Sequence, residues 1–233
     1  MCFCFRKGKM AMCKANAKLP TGFTYTAHTG CCKTKANTLE CIDAGVKYGA
    51  AIVEFDLRFD KNHNPVLSHD EPVGGEVTLD EAFAKISTIE ALQVNVDVKT
   101  CVALQKVQEL AIKHNIEHRI FFTGINESDV KAVNEQYPTI DYYLNMKVKK
   151  PFAHTDKYLQ SLVDKVKECG AVGINLQYRG ASKKLVEYFH KNNLLVSVFT
   201  VDGKPEMYKI LSYGPDNITT RKPDIFQTVF KEF

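Results

Sequence analysis

The stretch AIVEFDLRF, residues 51–59, decides the fold. Successive side chains of an extended chain point to opposite faces, so Val53, Phe55 and Leu57 share one side and Glu54 and Asp56 the other. The same alternation recurs in LQVNVDVK (92–99), where Asn95, Asp97 and Lys99 oppose Val94, Val96 and Val98. It appears again in FTYTAH (23–28), where Thr24, Thr26 and His28 oppose Phe23, Tyr25 and Ala27. Outward from these, strand-length apolar runs stand at 119–124, 140–146, 171–178, 194–201 and 217–220. Segments with helical spacing separate them. One, TLDEAFAKI, opens on Thr78 and carries Glu81 at the third helical position, a capping-box pattern. Gly170 and Gly214 fall where helix stops are expected. Strands alternating with helices predict a parallel sheet. Eight such strands within 233 residues predict a closed (β/α)8 TIM barrel rather than an open doubly wound sheet.

Composition agrees. The chain is 45% hydrophobic and 25% charged, enough to bury a sizeable core and too apolar for disorder. No apolar run reaches the length of a membrane-spanning helix. The 31 basic and 27 acidic residues are too evenly balanced to argue for nucleic acid as a partner. Eight cysteines, at 2, 4, 13, 31, 32, 41, 101 and 169, form no CxxC pair and read as reduced thiols, with a cytoplasmic location expected. Residues 1–22 carry basic charge without the apolar centre of a signal peptide and read as a lead-in segment. The expected barrel domain occupies residues 23–233 without a linker.

Barrel strands are covered by helices, so their apolar faces should meet the helices and their polar faces should point inward. Three carboxylates gathered in a barrel are costly unless something neutralises them. Glu54, Asp56 and Asp97 offer the hard oxygen ligands that suit one divalent cation, Mg²⁺ or Ca²⁺. Two other readings stand beside this one: a buried salt-bridge network with Lys99 and Arg58, or carboxylates exposed at a sheet edge. His69 follows a short extended run, PVLSHD, where a loop at the barrel mouth is expected. With His28 it forms a candidate acid/base pair, histidine being matched to proton transfer near neutrality; the alternative is a structural role. His63, His114, His118, His154 and His190 read as surface or packing residues, and Cys31 and Cys32 as incidental thiols near the site mouth. Asn175, Gln177 and Tyr178 either reach a ligand or pack inward. Lys147, Lys149 and Lys150 form a short basic loop, solvated or attracting an anion.

The order of these residues resembles the N-terminal core of the glycerophosphodiester phosphodiesterases. That family's pattern runs HRG, PENT, ExD, a turn into pV, then HD. Here it reads His28-Thr29-Gly30, Ala36-Asn37-Thr38, Glu54-Phe55-Asp56, Asn64-Pro65-Val66 and His69-Asp70. NVDVK, LVEYFHKNNLLVSVFTVD and NITTRKPD are similar to later family segments, so the likeness runs in order from about residue 23 to 225. It implies a barrel that hydrolyses a small phosphodiester, glycerophosphodiester or lysophospholipid-like, to glycerol 3-phosphate and an alcohol. It further implies one cation, Mg²⁺ or Ca²⁺, on Glu54, Asp56 and Asp97, with His28 and His69 as acid and base. Lys99 would face the substrate phosphate, and Phe199, where the family has Trp, would wall the pocket.

Departures from the pattern are informative. Thr29 replaces the family's Arg and Ala36 its Glu; if these pair in the family, losing both leaves no charge alone. Asp97 shortens one ligand by a methylene. Only PVGGEV (72–77) separates HDE from the next helix, a shortened insertion that predicts a more open site. The Glu–Asp–Asp set also resembles the sphingomyelinase D toxins, which form a cyclic phosphate, although their cysteine-bridged loop is missing here. A non-catalytic barrel binding a phosphorylated ligand is the alternative from another class. The missing Arg favours it, and the retention of both histidines, all three acids and Lys99 opposes it.

Overall fold

The computed structural model describes residues 19–149, 152 and 155–233. The chain runs β1 (Thr24–Ala27), α1 (Leu39–Lys47), β2 (Ile52–Phe59), β3 (Pro65–Leu67), α2 (Leu79–Ser87), β4 (Gln93–Val98) and α3 (Leu104–Lys113). It continues β5 (Ile120–Ile125), α4 (Val130–Gln136), β6 (Tyr142–Asn145), α5 (Asp156–Glu168), β7 (Gly173–Gln177) and α6 (Lys183–Lys191). The last elements are β8 (Leu195–Phe199), α7 (Lys204–Leu211), β9 (Asn217–Thr220) and α8 (Pro223–Glu232). Eight of these strands pair in parallel in the order β1-β9-β8-β7-β6-β5-β4-β2, and β1 pairs with β2 as well as β9, which closes the ring. This is the (β/α)8 barrel that the alternation predicts. β3, from the PVLSHD run, lies antiparallel on the mouth end of β2. Of the lead-in segment, residues 1–18 lie outside the described residues, as do Lys150 and His154.

The pleat sorts the side chains as expected. Phe55 and Leu57 are fully buried on the helix side of β2, and the Phe55 ring sits 6.4 Å from that of Phe83 in α2. Tyr25 of β1 packs on Phe226 of α8 with ring centroids 4.8 Å apart. Each such aromatic removes a large apolar area from water, worth roughly 1.5–3 kcal/mol. α2 starts where the capping box places it: Thr78 accepts the Glu81 N–H at 3.2 Å, and Glu81 accepts the Thr78 N–H at 2.8 Å. Thr78→Ala removes half of that exchange and is expected to cost about 1 kcal/mol in urea unfolding. The helix stop expected at Gly170 follows α5 with φ 70°, a left-handed geometry that favours glycine.

Inside the ring, the usual Val/Ile/Leu filling of such barrels gives way to amides and hydroxyls. Thr26 donates to Asn217 at 3.1 Å, Ser197 to the same oxygen at 3.3 Å, and Asn175 to Asn145 at 2.9 Å. These buried groups satisfy one another across neighbouring strands, which removes the cost of burying them. No helix of the described residues is long and apolar enough to cross a membrane. The five described cysteines, Cys31, Cys32, Cys41, Cys101 and Cys169, are free thiols.

Candidate active site

Register brings the acids together. Asp56 of β2 lies opposite Asp97 of β4, and Glu54 opposite Asn95, so all three carboxylates approach the C-terminal mouth from adjacent strands. One oxygen from each lies within 4.8 Å of the others. Glu54 and Asp56 are buried and Asp97 half-buried, which excludes exposed acids at a sheet edge. Lys99, one residue beyond β4, places Nζ 2.7 Å from Asp56 Oδ1 and also bonds Asp97. Arg58 does not join them. Its Nε donates to the His69 carbonyl at 2.9 Å and its guanidinium pairs with Glu71. The salt-bridge alternative therefore holds for Lys99 and fails for Arg58, leaving three carboxylates around one ammonium.

His28 stands just past β1, where its own N–H donates to the Thr220 carbonyl at 2.9 Å. Its Nδ1 lies 2.8 Å from the Thr29 carbonyl and 3.5 Å from Glu54 Oε2. A proton on Nδ1 serves both, leaving Nε2 without a hydrogen-bond partner among the described residues. Burial alone would lower the His28 pKa, but the Glu54 charge, the Thr29 carbonyl and Asp56 outweigh it and the net direction is up. Glu54 accepts the Thr29 N–H at 2.7 Å. Burial nevertheless pushes its pKa up, to about 7, with Asp56 and Asp97 adding to the rise against His28 and the Thr29 N–H. Lys99 is held strongly protonated: Asp97 and Asp56 overcome a burial that would favour the neutral amine.

Three residues to which the sequence assigned no role support the acids. Asn37 donates Nδ2 to Asp56 Oδ2 at 2.9 Å and accepts the Asp56 N–H on Oδ1 at 3.0 Å. It does so from a left-handed backbone, φ 60°, which asparagine tolerates better than most residues. Gly124 of β5, φ 80°, leaves room for the acid: a Cβ there would meet Asp97 Oδ1 at 2.7 Å and the Val98 carbonyl at 2.4 Å. A glycine inside the strand run FFTGI was the available signal. Thr123 completes the support, donating to Asp97 Oδ1 at 3.0 Å.

The Thr29 side chain, in the position of the family's Arg, accepts the Asn37 N–H at 2.6 Å and lies 3.6 Å from the Cys41 sulfur, while Ala36 is exposed. Cys31 points to the Cys41 carbonyl, and burial pushes its thiol up to about 12, which keeps it unreactive. His69 lies in the loop after β3 with its side chain 70% exposed and Nδ1 2.9 Å from Asp70 Oδ1. It touches none of the acid cluster among the described residues. His114 and His190, expected to be surface or packing residues, are paired with Asp80 at 2.6 Å and Asp216 at 2.8 Å.

Two cavities meet at this mouth. A small one of about 50 Å³ lies against His28, Glu54, Asp97 and Phe199. A larger one of about 860 Å³ shares Asn145, Asn175 and Phe199 with it and opens toward the loops after β6 and β7. Phe199, expected to wall the pocket, lines both cavities.

The sequence profile of the glycerophosphoryl diester phosphodiesterase family matches residues 28–100 and 91–225. A glycerophosphodiester phosphodiesterase of Bacillus subtilis is 23% identical over 135 residues, 58% of this chain and 44% of that protein, so the match spans less than half of the relative. One of Caldanaerobacter subterraneus is 26% identical over 234 aligned positions, 85% of this chain and 93% of that protein. Among solved structures, an Oleispira antarctica phosphodiesterase in complex with the product sn-glycerol-3-phosphate superposes with a TM-score of 0.73 at 16% identity, covering 91% of this chain and 97% of that one. The match includes His28, Glu54, Asp56, Asp97 and Lys99, and the chain belongs to the glycerophosphoryl diester phosphodiesterase family.

Proposed function

We propose that this chain is a metal-dependent hydrolase of glycerophosphodiesters, releasing glycerol 3-phosphate and an alcohol by His28/His69 acid–base catalysis. The observation that carries the reading is the convergence of Glu54, Asp56 and Asp97 within 4.8 Å, countered among the described residues by one strong cation, Lys99. All three are hard oxygen donors, and their uncompensated charge fits Mg²⁺ or Ca²⁺. A bound cation would neutralise the phosphodiester oxygens as charge develops on them.

The remaining work falls to the chain's own groups. Lys99 supplies a second positive charge to the phosphate. His28 Nε2 moves one proton, oriented by the Nδ1 bond to the Thr29 carbonyl. His69 moves the other from the loop after β3, where Arg58 holds its backbone carbonyl. Asn37 and Thr123 keep Asp56 and Asp97 from rotating away. The test is incubation with glycerophosphocholine and Mg²⁺ or Ca²⁺, followed by phosphorus NMR. Free glycerol 3-phosphate, abolished by chelator and restored by added metal, is the expected result. A persistent cyclic phosphate would instead assign the cyclising route, and turnover indifferent to chelator would remove the metal from the reaction.

A further inference from the structure

The larger cavity has a feature that the hydrolysis of a simple diester does not require. Lys147 extends into it from the loop after β6, and Arg179 from the loop after β7. Among the described residues no acidic side chain lines the cavity, and neither cation is in an ion pair. Asn126 and Gln177 add polar surface, while Met146 and Val148 form an apolar wall.

The Arg179 side chain and the backbone that carries Lys147 are held in place. The Arg179 guanidinium lies 5.5 Å from the centre of the Tyr178 ring, a cation–π contact that restricts it. The β6 loop is tied down twice: the Met146 N–H donates to the Asn175 carbonyl at 3.1 Å, and the Lys149 N–H to the Tyr158 hydroxyl at 2.9 Å. Gly180 lets the two loops close on each other, since a Cβ there would stand 3.1 Å from Val148 Cβ. A guanidinium restricted in this way, and an ammonium on a tied-down loop, bind an anion at less entropic cost than cations on free loops would.

We infer that this cavity is a subsite for a phosphodiester substituent that carries its own anionic group, a phosphomonoester or a carboxylate, held by Lys147 and Arg179. The inference rests on the phosphodiesterase reading and narrows its substrate class. The cavity of about 860 Å³ has room for a ring-sized or longer substituent beyond the scissile phosphate. Its wall of Phe199, Met146 and Val148 suits the carbon skeleton.

Two matched pairs of diesters test this. Glycerophosphoinositol 4-phosphate differs from glycerophosphoinositol by one phosphomonoester, and glycerophosphoserine differs from glycerophosphoethanolamine by one carboxylate. We expect the anionic member of at least one pair to be favoured roughly tenfold in kcat/KM. That ratio should fall to about one in a Lys147→Gln/Arg179→Gln double variant and shrink in wild type as salt is raised. The pair showing the preference identifies the anion. Ratios near one in both pairs, or a preference that survives the double substitution, overturn the subsite. Retention on phosphatidylserine vesicles that depends on the two cations, combined with ratios near one, would assign the patch to a membrane surface instead. Equilibrium binding of the same pairs in chelator gives the same ratios without turnover. A protein that hydrolyses none of the four diesters but still prefers the anionic ones therefore fails the catalytic reading and keeps the subsite.

Discussion

Replacing His28 by alanine is expected to lower kcat/KM for a glycerophosphodiester by about 10²–10⁴-fold, the range typical of a lost proton-transfer group. The reason is positional. Nδ1 is engaged by the Thr29 carbonyl at 2.8 Å, so Nε2 is the ring atom left for the reacting group, at the wall of the small cavity that Glu54 and Asp97 also line. No other described histidine lies there; His114 and His190 are bound to carboxylates elsewhere. The fall should appear in kcat as well as kcat/KM, because the proton moves in the transition state. His69→Ala tests the second half of the pair. A loss of comparable size would place both histidines on the reaction, whereas a loss confined to His28 would leave the exposed His69 outside it. A His28→Ala enzyme within threefold of wild type would take His28 out of the chemistry altogether.

Glu54→Gln is expected to act in opposite directions with and without metal. In the metal-free protein the folded-state pKa of Glu54 is raised from 4.5 to about 7 by burial and by the neighbouring acids. The folded state therefore holds a proton that the unfolded state has released, and stability falls as pH rises between those two values. The raised pKa of His28 adds to the same trend, since its stabilising charge is lost as pH rises through its folded value. At pH 8 the glutamine variant, neutral and still able to accept the Thr29 N–H, should be more stable in chelator by on the order of 2 kcal/mol. Its stability should also change less between pH 5 and pH 8. With Mg²⁺ or Ca²⁺ at a hundred times its dissociation constant, wild type gains roughly 2.7 kcal/mol and the variant, short of a ligand, loses most of that gain. Urea unfolding in chelator and in metal reads both arms. A variant less stable than wild type in chelator at pH 8 would show that the buried charge is already well compensated.

Much of this site was legible before any coordinates. Val53–Phe55–Leu57 against Glu54–Asp56, and Val94–Val96–Val98 against Asn95–Asp97–Lys99, allow one assignment of faces, because a period of two leaves no freedom once one face must be buried. The likeness to the phosphodiesterases added roles to those positions. The supports were less visible. Asn37 is one polar residue in a loop, and nothing local says that it will reach across to Asp56. Gly124 reads as a strand glycine until the Asp97 carboxylate is seen to occupy the space a methyl group would take. Arg58 shares a strand face with Glu54 and Asp56, yet its length carries it past the acids to the His69 carbonyl and Glu71.

The closed barrel, the inward placement of Glu54, Asp56, Asp97 and His28, and the capped start of α2 follow from the order of residues along the chain. Each depends on spacing along a short piece of chain, where backbone geometry leaves few choices. That Asp56 stands opposite Asp97, that Lys99 bridges those two acids, and that Lys147 and Arg179 overlook one cavity emerge from the folded arrangement alone. Those are distances between segments far apart in the chain, set by strand register and loop packing, and no local pattern encodes them.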